Sequence, residues 1–197
     1  MARKYRLEYL KRKKEKENQP ESPLKSFLGW ALYIIIIIGA TFLIVTYVGQ
    51  RTKVSGASME TALHDGDNLI VDKITYRLRD PKRYEIVVFP YKHQSDVYYI
   101  KRIIGLPGET VQIKNGDVYI NGKRLNEKYG LEKMTDAGIA KDIIVLGEDE
   151  YFVLGDNRNH SSDSRDSSVG VLKKSDFIGR AWIRIWPLNS FGVISHE

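Results

Sequence analysis

Ser58 stands in a short run of small residues, V-S-G-A-S-M-E-T-A-L, at residues 54–63. A serine hydroxyl is a poor nucleophile until a neighbouring base removes its proton. The chain contains histidines and lysines that could act as this base, and it has no cysteine to serve as a thiol nucleophile or in a disulfide. Whether Ser58 does chemistry therefore depends on which base reaches it.

Histidine is the first kind of base to consider. The chain has four histidines, at positions 64, 93, 160 and 196. His64 lies close after Ser58, and His160 lies in the polar run G-D-N-R-N-H-S-S-D-S-R, residues 155–165. A Ser-His-Asp triad is recognised by geometry and not by spacing, so the sequence leaves it open. Loop histidines are, however, more often solvated than catalytic.

Lysine is the second kind. Residues 98–104, Y-Y-I-K-R-I-I, are typical of a strand, whose alternation puts Tyr99, Lys101 and Ile103 on one face. Burial between such neighbours lowers a lysine pKa, and a shift from about 10.4 to about 8 takes roughly 3 kcal/mol. Arg102 faces the other way and does not deprotonate in proteins. On pattern alone, an ordinary strand lysine reaching for water is the commoner case.

The charge of the chain is concentrated at its start. The formal net charge is +6, and residues 1–25 carry nine Lys/Arg against four Asp/Glu, which leaves only +1 for the remainder. A nucleic-acid-binding domain would carry its basic residues on the folded surface. The sequence therefore predicts no nucleic-acid partner.

An uncharged segment follows the basic tail at residues 27–48. At about 1.5 Å per residue its helix would span roughly 30 Å, enough to cross a bilayer core. A soluble core helix of this length would show a polar face, and a cleaved signal peptide has a shorter apolar region and an A-x-A site. We expect a basic cytoplasmic tail over 1–26, a single transmembrane helix over 27–48, and an extracytoplasmic domain over 49–197, because basic flanks stay inside.

The outer domain is predicted to be mainly β, an antiparallel, barrel-like sheet domain with a small inserted segment at 123–150 that is charged and poorly patterned. Short β-branched and aromatic runs recur between turn signals. Asn115-Gly116 is typical of a tight hairpin, and a helical turn is expected near 173–176. The predicted strands cover residues 69–71, 85–89, 97–104, 110–114, 118–120, 143–146, 151–154 and 181–186.

The order of several motifs resembles the type I signal peptidases, in their Gram-positive bacterial form. V-S-G-A-S-M is followed by G-D-N-L-I-V-D-K, R-Y-E-I-V-V-F, K-R-I-I-G-L-P-G-E and G-D-N-R-N-H-S-S-D-S-R, behind an N-terminal anchor. The resemblance covers residues 27–186. It implies a membrane-bound Ser/Lys endopeptidase, without metal or other cofactor, that removes signal peptides from exported preproteins.

The resemblance also assigns roles by motif position. Ser58 would be the nucleophile and Lys101 the general base, Asp163 and Arg165 would support the site, and Ser161 would orient the lysine. Some relatives have a serine oxyanion donor two positions before the nucleophile; here that position is Gly56, so a backbone N–H or water would have to replace it. Asp156, Asn157 and Arg158 belong to the same box. For Asp156 and Arg158, as for Asp163 and Arg165, we expect ion pairs that hold the loop.

The substrate would be an extended segment ending in a small-x-small pattern. Met59, Leu69, Tyr99 and Ile100 are candidates to line its shallow apolar pockets, although core packing explains any one of them equally well. Expected partners are signal peptides, the lipid bilayer and the protein-export machinery. Trp182 and Trp186 are expected in the core rather than on a membrane-facing surface.

Two departures from the family pattern concern the backbone. Thr61-Ala62 stands where the family usually has Pro-Thr, and loss of a proline that presets φ near −65° would soften the placement of Ser58. Tyr84 replaces a common glycine, which suggests that no positive φ is needed there.

Two other functions remain open at this point. The departures at 61–62 would also fit a catalytically weak homologue that acts as a membrane assembly partner or chaperone. A self-cleaving Ser/Lys protein of the SOS-repressor type shares the chemistry but lacks such an anchor.

Overall fold

The computed structural model describes residues 5–6, 8–11, 23–91, 97–130 and 132–196. Most of the basic tail, and His93, lie outside the described residues. The chain divides into two compact units, residues 1–44 and residues 45–197. Each unit is considered by itself.

The first unit contains the apolar helix α1, Pro23–Leu43, and a π-helical turn, Ile44–Val48, continues it into the second. The helix begins four residues before the predicted segment, because Pro23 suits the first helical position, where no N–H partner is needed. None of the α1 residues is buried. Among the described residues, Pro23–Val48 is the one helix long and apolar enough to cross a membrane.

The second unit is built almost entirely from short strands. A single helical turn, α2, covers Thr75–Leu78. The strands are β1 Gly49–Lys53, β2 Asn68–Asp72, β3 Ile86–Pro90, β4 Tyr98–Gly105, β5 Thr110–Lys114, β6 Asp117–Ile120, β7 Lys123–Arg124, β8 Ile144–Val145, β9 Glu150–Leu154, β10 Leu172–Lys173, β11 Gly179–Trp186 and β12 Gly192–Val193.

The strands form two antiparallel sheets. The larger runs β1-β2-β11-β3-β4-β9-β10, with β12 paired to β11, and the smaller runs β7-β6-β5-β8. Both sheets end in free edges, so the described strands close no barrel. The prediction of a mainly β, antiparallel domain behind one apolar helix is confirmed, and the barrel-like closure is not seen.

The Asn115-Gly116 turn forms the predicted hairpin between β5 and β6, where Lys114 pairs with Asp117. Both turn residues have positive φ, 52° and 79°, as a tight primed turn requires. A 3-10 turn at Lys174–Asp176 matches the predicted helical turn. Of residues 123–150, β7 and β8 belong to the smaller sheet, and a 3-10 turn, Gly138–Lys141, lies between them.

Three clusters of buried apolar side chains hold the sheets together. The first cluster matters most for the site, because it contains Met59 and Leu63, which follow Ser58 and are 1% and 0% exposed. Burial of two such side chains contributes roughly 3 to 6 kcal/mol before entropy is counted. The segment after Ser58 is therefore tied to the core of the larger sheet.

Two expectations from the sequence are wrong. Tyr84 has φ 71°, so this position does use the left-handed conformation that glycine takes freely. Its ring centre lies 5.1 Å from that of Tyr129. Trp182 and Trp186 are 40% and 53% exposed, so neither lies in the core.

Candidate active site

Ser58 and Lys101 are brought together although they are far apart in the sequence. Lys101 lies in β4 and Ser58 in the loop between β1 and β2. Lys101 Nζ donates a hydrogen bond to Ser58 Oγ at 2.8 Å. The lysine therefore sits where a general base must be to receive the serine proton.

Lys101 is buried, with 4% of its surface exposed. Its Nζ also donates to Ile100 O at 3.1 Å, and it lies 5.0 Å from the centre of the Tyr99 ring. Burial lowers the pKa of Lys101 from 10.5 to about 8, against the opposing influence of the Asp163 and Asp156 carboxylates. At pH 7 about a tenth of this lysine is consequently neutral, compared with well under one in a thousand for an ordinary lysine.

Two successive turns shape the segment around Ser58. Glu60 N donates to Ala57 O at 3.2 Å, and Ala62 N donates to Met59 O at 3.0 Å. Thr61, the third residue of the second turn, has φ 72°. Type II turns need a positive φ at this place, which glycine accepts most easily and proline cannot reach. The expectation that loss of proline softens the turn is therefore wrong. Proline could not take this φ, and Thr61, a β-branched residue, adopts a strained conformation here.

Gly56 introduces the turn with φ 87°. Its N–H donates to Asp65 Oδ1 at 2.8 Å. This amide is already engaged, so it is a poor substitute for the side-chain oxyanion donor found at the same place in some relatives.

The loop after β9 holds the serine backbone from the other side. Asn157 N donates to Ser58 O at 3.0 Å. At Gly155, an added Cβ would lie 2.2 Å from Ser161 Oγ and 2.6 Å from Ser58 O. Only glycine permits this close approach, which fixes Ser58 against the loop.

Asp163 and Arg165 fix the shape of that loop. Asp163 Oδ2 accepts from Gly155 N at 3.0 Å, and Arg165 Nε donates to Asp163 Oδ1 at 2.8 Å. Arg165 also donates to the carbonyl of Arg158. Neither residue hydrogen-bonds to Ser58 or Lys101 among the described contacts, so their influence on the site passes through the loop.

The other charged residues of the box form ion pairs and do not contact Ser58 or Lys101 among the described contacts, and their structural role stays a prediction. Asp156 is fully buried and forms two hydrogen bonds with Arg102, at 2.8 and 2.6 Å. Arg158 pairs with Glu127 at 2.5 and 2.7 Å and donates to Gly155 O at 3.0 Å. Both guanidinium pairs are bidentate, a geometry that fixes orientation as well as distance.

Ser161 does not make the contact that the resemblance implies. Its Oγ is buried and has no hydrogen-bond partner among the described residues. The two acceptors of Lys101 Nζ are Ser58 Oγ and Ile100 O. Orientation of the lysine by Ser161 stays a prediction, without a direct hydrogen bond in this structure.

An open cleft of about 230 Å³ exposes the Ser58 side chain. Three of the four residues predicted to contact substrate, Met59, Tyr99 and Ile100, line it. Leu69 is completely buried in the first core cluster and does not line the cleft. His160, considered above as a possible base, and Ser162, which was not predicted to contact substrate, line it as well.

The described histidines do not form a triad with Ser58. His64 N donates to the Asp67 carboxylate, and His196 Nδ1 accepts from Ile86 N. Burial lowers the pKa of His196 to about 4. His160 lines the cleft, but among the described residues the only titratable group hydrogen-bonded to Ser58 is Lys101.

Sequence reasoning missed two contacts of the serine backbone, the Asn157 amide and the close approach of Gly155. Both residues belong to the G-D-N motif at 155–157. They act through a backbone N–H and through the absence of a side chain, which residue types alone do not reveal. A glycine directly after an apolar strand was the one available hint.

The signal peptidase, peptidase S26, family model matches residues 27–186. The chain is 39% identical over 191 residues to "Probable signal peptidase I-2" of Synechocystis, covering 93% of this chain and 83% of that one. It is 35% identical to "Signal peptidase I P" of Bacillus subtilis subsp. natto, covering 89% and 96%. A solved signal peptidase I from Enterococcus faecalis is 34% identical, with TM-score 0.44, over 52% of this chain and 97% of that one.

The chain therefore belongs to the peptidase S26 family of signal peptidases. Within that family it is a type I enzyme, a hydrolase of signal-peptide processing, as are the relatives named above.

Proposed function

We propose that this signal peptidase is a serine endopeptidase that uses a Ser58/Lys101 dyad. The observation that carries the proposal is the 2.8 Å hydrogen bond between Lys101 Nζ and Ser58 Oγ, made by a buried lysine. A buried lysine is a suitable base because burial favours its neutral form. The open cleft beside Ser58 leaves room for a peptide carbonyl.

The reaction takes two steps. Neutral Lys101 removes the proton from Ser58 as Oγ attacks the scissile carbonyl carbon, and Lys101 then gives that proton to the departing amine as the C–N bond breaks. In the second step Lys101 removes a proton from water, the water oxygen attacks the ester, and the serine oxygen leaves with the proton. The Ser58 N–H is the natural donor to the oxyanion in both steps.

The substrate is an exported preprotein whose signal peptide ends in a small-x-small sequence. The cleft walls contributed by Met59, Tyr99 and Ile100 suit an extended segment with small apolar side chains, because these walls are apolar or aromatic.

The enzyme is anchored in the cell membrane by one span. We infer that the helix at Pro23–Val48 crosses the bilayer with its basic tail in the cytoplasm, so that the domain from 49 to 197 acts on the extracytoplasmic face. Lipid is the partner that this arrangement requires, and we propose the protein-export machinery as a further partner. Accessibility of an added glycosylation or labelling site on the β domain in intact cells tests the orientation.

Cleavage of a preprotein by the detergent-solubilised full chain tests the catalytic assignment. Ser58→Ala and Lys101→Ala should each abolish cleavage, and His64→Ala and His160→Ala should not. Equal cleavage by the wild type and both dyad variants would reject the Ser/Lys assignment. Absence of cleavage by the wild type, with a panel of precursors, would favour the catalytically weak homologue.

A further inference from the structure

We propose that Arg184 is a positioning residue for the nucleophile, acting through the turn that follows Ser58. The proposal rests on the proposed function, because it assigns a role in the Ser58 reaction. Arg184 lies in β11, opposite Leu69 of β2, and touches neither Ser58 nor Lys101 among the described contacts. Its effect on the reaction must therefore be transmitted by the backbone.

Arg184 joins two parts of the nucleophile loop. Its Nη2 donates to Ala62 O at 3.0 Å, and its Nη1 lies 3.0 Å from Asp67 Oδ2. The same carboxylate oxygen accepts from His64 N at 3.0 Å. Arg184 and Asp67 thus form a clamp across residues 62–67, the return half of the loop.

The clamp is shielded from water. The Arg184 and Asp67 side chains are 17% and 4% exposed, so their pairing is not a solvated surface contact. Asp67 is in turn fixed through its backbone, since Val54 N donates to Asp67 O at 2.8 Å. The Asp67 carboxylate is therefore held in place, and Arg184, which pairs with it, holds the Ala62 carbonyl at a fixed distance from it.

The turn needs such a restraint because of Thr61. This residue has φ 72°, a conformation that a β-branched side chain rarely adopts. Thr61 is itself exposed, so packing of its own side chain does not hold it there. The next carbonyl, that of Ala62, is the one that Arg184 holds, and the turn closes on Met59 O directly after the nucleophile. Met59 and Leu63 stay buried in the core, and Leu63 N also donates to Met59 O at 2.9 Å. Release of the clamp therefore frees only the exposed peptide around Thr61, which can relax towards negative φ and shift Ser58 relative to Lys101.

The test uses kcat and KM for a peptide that spans a small-x-small cleavage site, with the detergent-solubilised full chain. Arg184→Gln should lower kcat about 10-fold with KM changed less than about 2-fold, because misplacing a reacting atom affects the transition state more than binding. Arg184→Lys, which can satisfy one of the two acceptors, should recover part of the loss. The pH profile of kcat should keep its midpoint, since Lys101 is not altered.

Arg51→Gln is the matched control. Arg51 donates to Asn68 Oδ1 at 2.8 and 3.2 Å, beside the clamp but without contact to residues 58–63. It should leave kcat unchanged. Equal kcat values for Arg184→Gln and Arg51→Gln would overturn the proposal, as would a fall in kcat that Arg184→Lys does not relieve.

Thr61→Gly distinguishes positioning from a general loss of structure. Glycine adopts positive φ without strain, so the turn depends less on the Arg184–Asp67 clamp when residue 61 is glycine. In the Thr61→Gly background, Arg184→Gln should therefore lower kcat only about 3-fold. The same 10-fold loss in both backgrounds would overturn the proposal. Ser58→Ala distinguishes failure of the proposed function from failure of the clamp proposal. If Ser58→Ala cleaves like the wild type, the proposed function is rejected. If Ser58→Ala is inactive and Arg184→Gln is fully active, only the clamp proposal is rejected.

Discussion

Arg102 and Asp156 form a bidentate ion pair inside the protein. Arg102 follows Lys101 in β4, and Asp156 follows Gly155 in the loop after β9. Arg102 Nε and Nη2 lie 2.8 and 2.6 Å from the two carboxylate oxygens, and the side chains are 2% and 0% exposed. Arg102 also donates to Tyr84 O at 2.8 Å and stacks 3.8 Å from the Tyr129 ring centre. The pair joins β4, which carries Lys101, to the loop that holds Ser58.

Asp156→Asn should destabilise the domain strongly. The substitution keeps the shape but leaves a buried guanidinium without its counter-charge, which costs about 3 kcal/mol. For a domain of this size the thermal midpoint should fall by roughly 6 to 12 °C. Asp80→Asn is the control, because Asp80 pairs with Lys174 while 81% exposed and should have little effect on the midpoint. Similar midpoints for both variants would contradict this account.

Gly155→Ala should strongly reduce activity, whereas the same substitution at an open glycine position should not. The new Cβ would collide with the Ser161 side chain and with Ser58 O, so the nucleophile or the loop must move. A displacement on the order of 1 Å is enough to lower kcat about 100-fold. Gly192→Ala, where nothing lies within 4 Å of the new atom, should retain wild-type kcat. Retention of activity by Gly155→Ala would show that the close approach does not matter.

The activity should rise with pH as Lys101 loses its proton. With a pKa of about 8, the base is mostly protonated at pH 6 and mostly neutral at pH 9. The value of kcat/KM should therefore increase about tenfold per pH unit below pH 8 and level off above it. His64→Ala should leave this profile unchanged. A midpoint near 6.5 that disappears in His160→Ala would point to histidine as the base.

Lys101→Met should be inactive but more stable at neutral pH. The pKa of Lys101 is lowered in the folded state, so the unfolded chain binds more protons, and stability is lost as pH falls from 10.5 through 8. Below pH 8 the native state bears the full cost of the buried charge, about 3 kcal/mol at 1.36 kcal/mol per unit. Urea unfolding should show this gain for Lys101→Met at pH 7 and its loss above pH 10.5.

Lys123→Met provides the comparison for that experiment. Lys123 is exposed in β7, so its replacement should change the unfolding free energy little at either pH. If Lys101→Met is no more stable than wild type at pH 7, the lysine is better solvated than its burial indicates.

The sequence predicted the strands that carry apolar alternation and missed those that do not. β1, G-Q-R-T-K, is polar because it lies at the edge of the larger sheet, and only pairing with β2 identifies it as a strand. β7, β10 and β12 are two-residue pairings that leave no periodic signal. Their existence depends on the neighbouring strand, which no local pattern records.

The pairing of Ser58 with Lys101 was predictable because both residues are of reactive types and lie within recognisable motifs. The contacts that fix it were not, since Asn157 contributes only a backbone N–H and Gly155 contributes the lack of a side chain. Arg184 could not be assigned from its position, because its partners lie 117 and 122 residues away. The φ values of Thr61 and Tyr84 were predicted wrongly or not at all, because residue preference gives a tendency that tertiary contacts override.

Thr61→Pro, which restores the residue most common in the family, should impair this enzyme. Proline is fixed near φ −65°, whereas Thr61 has φ 72°, so the turn between Met59 and Ala62 would have to rearrange. We expect kcat to fall more than about 10-fold and the thermal midpoint to drop, with Thr61→Gly as the matched variant that keeps or raises both. Higher activity for Thr61→Pro than for Thr61→Gly would mean that residue 61 takes negative φ in the active enzyme. In that case proline would stabilise the turn, and the hydrogen bond from Arg184 to Ala62 O would not serve to hold residue 61 at positive φ.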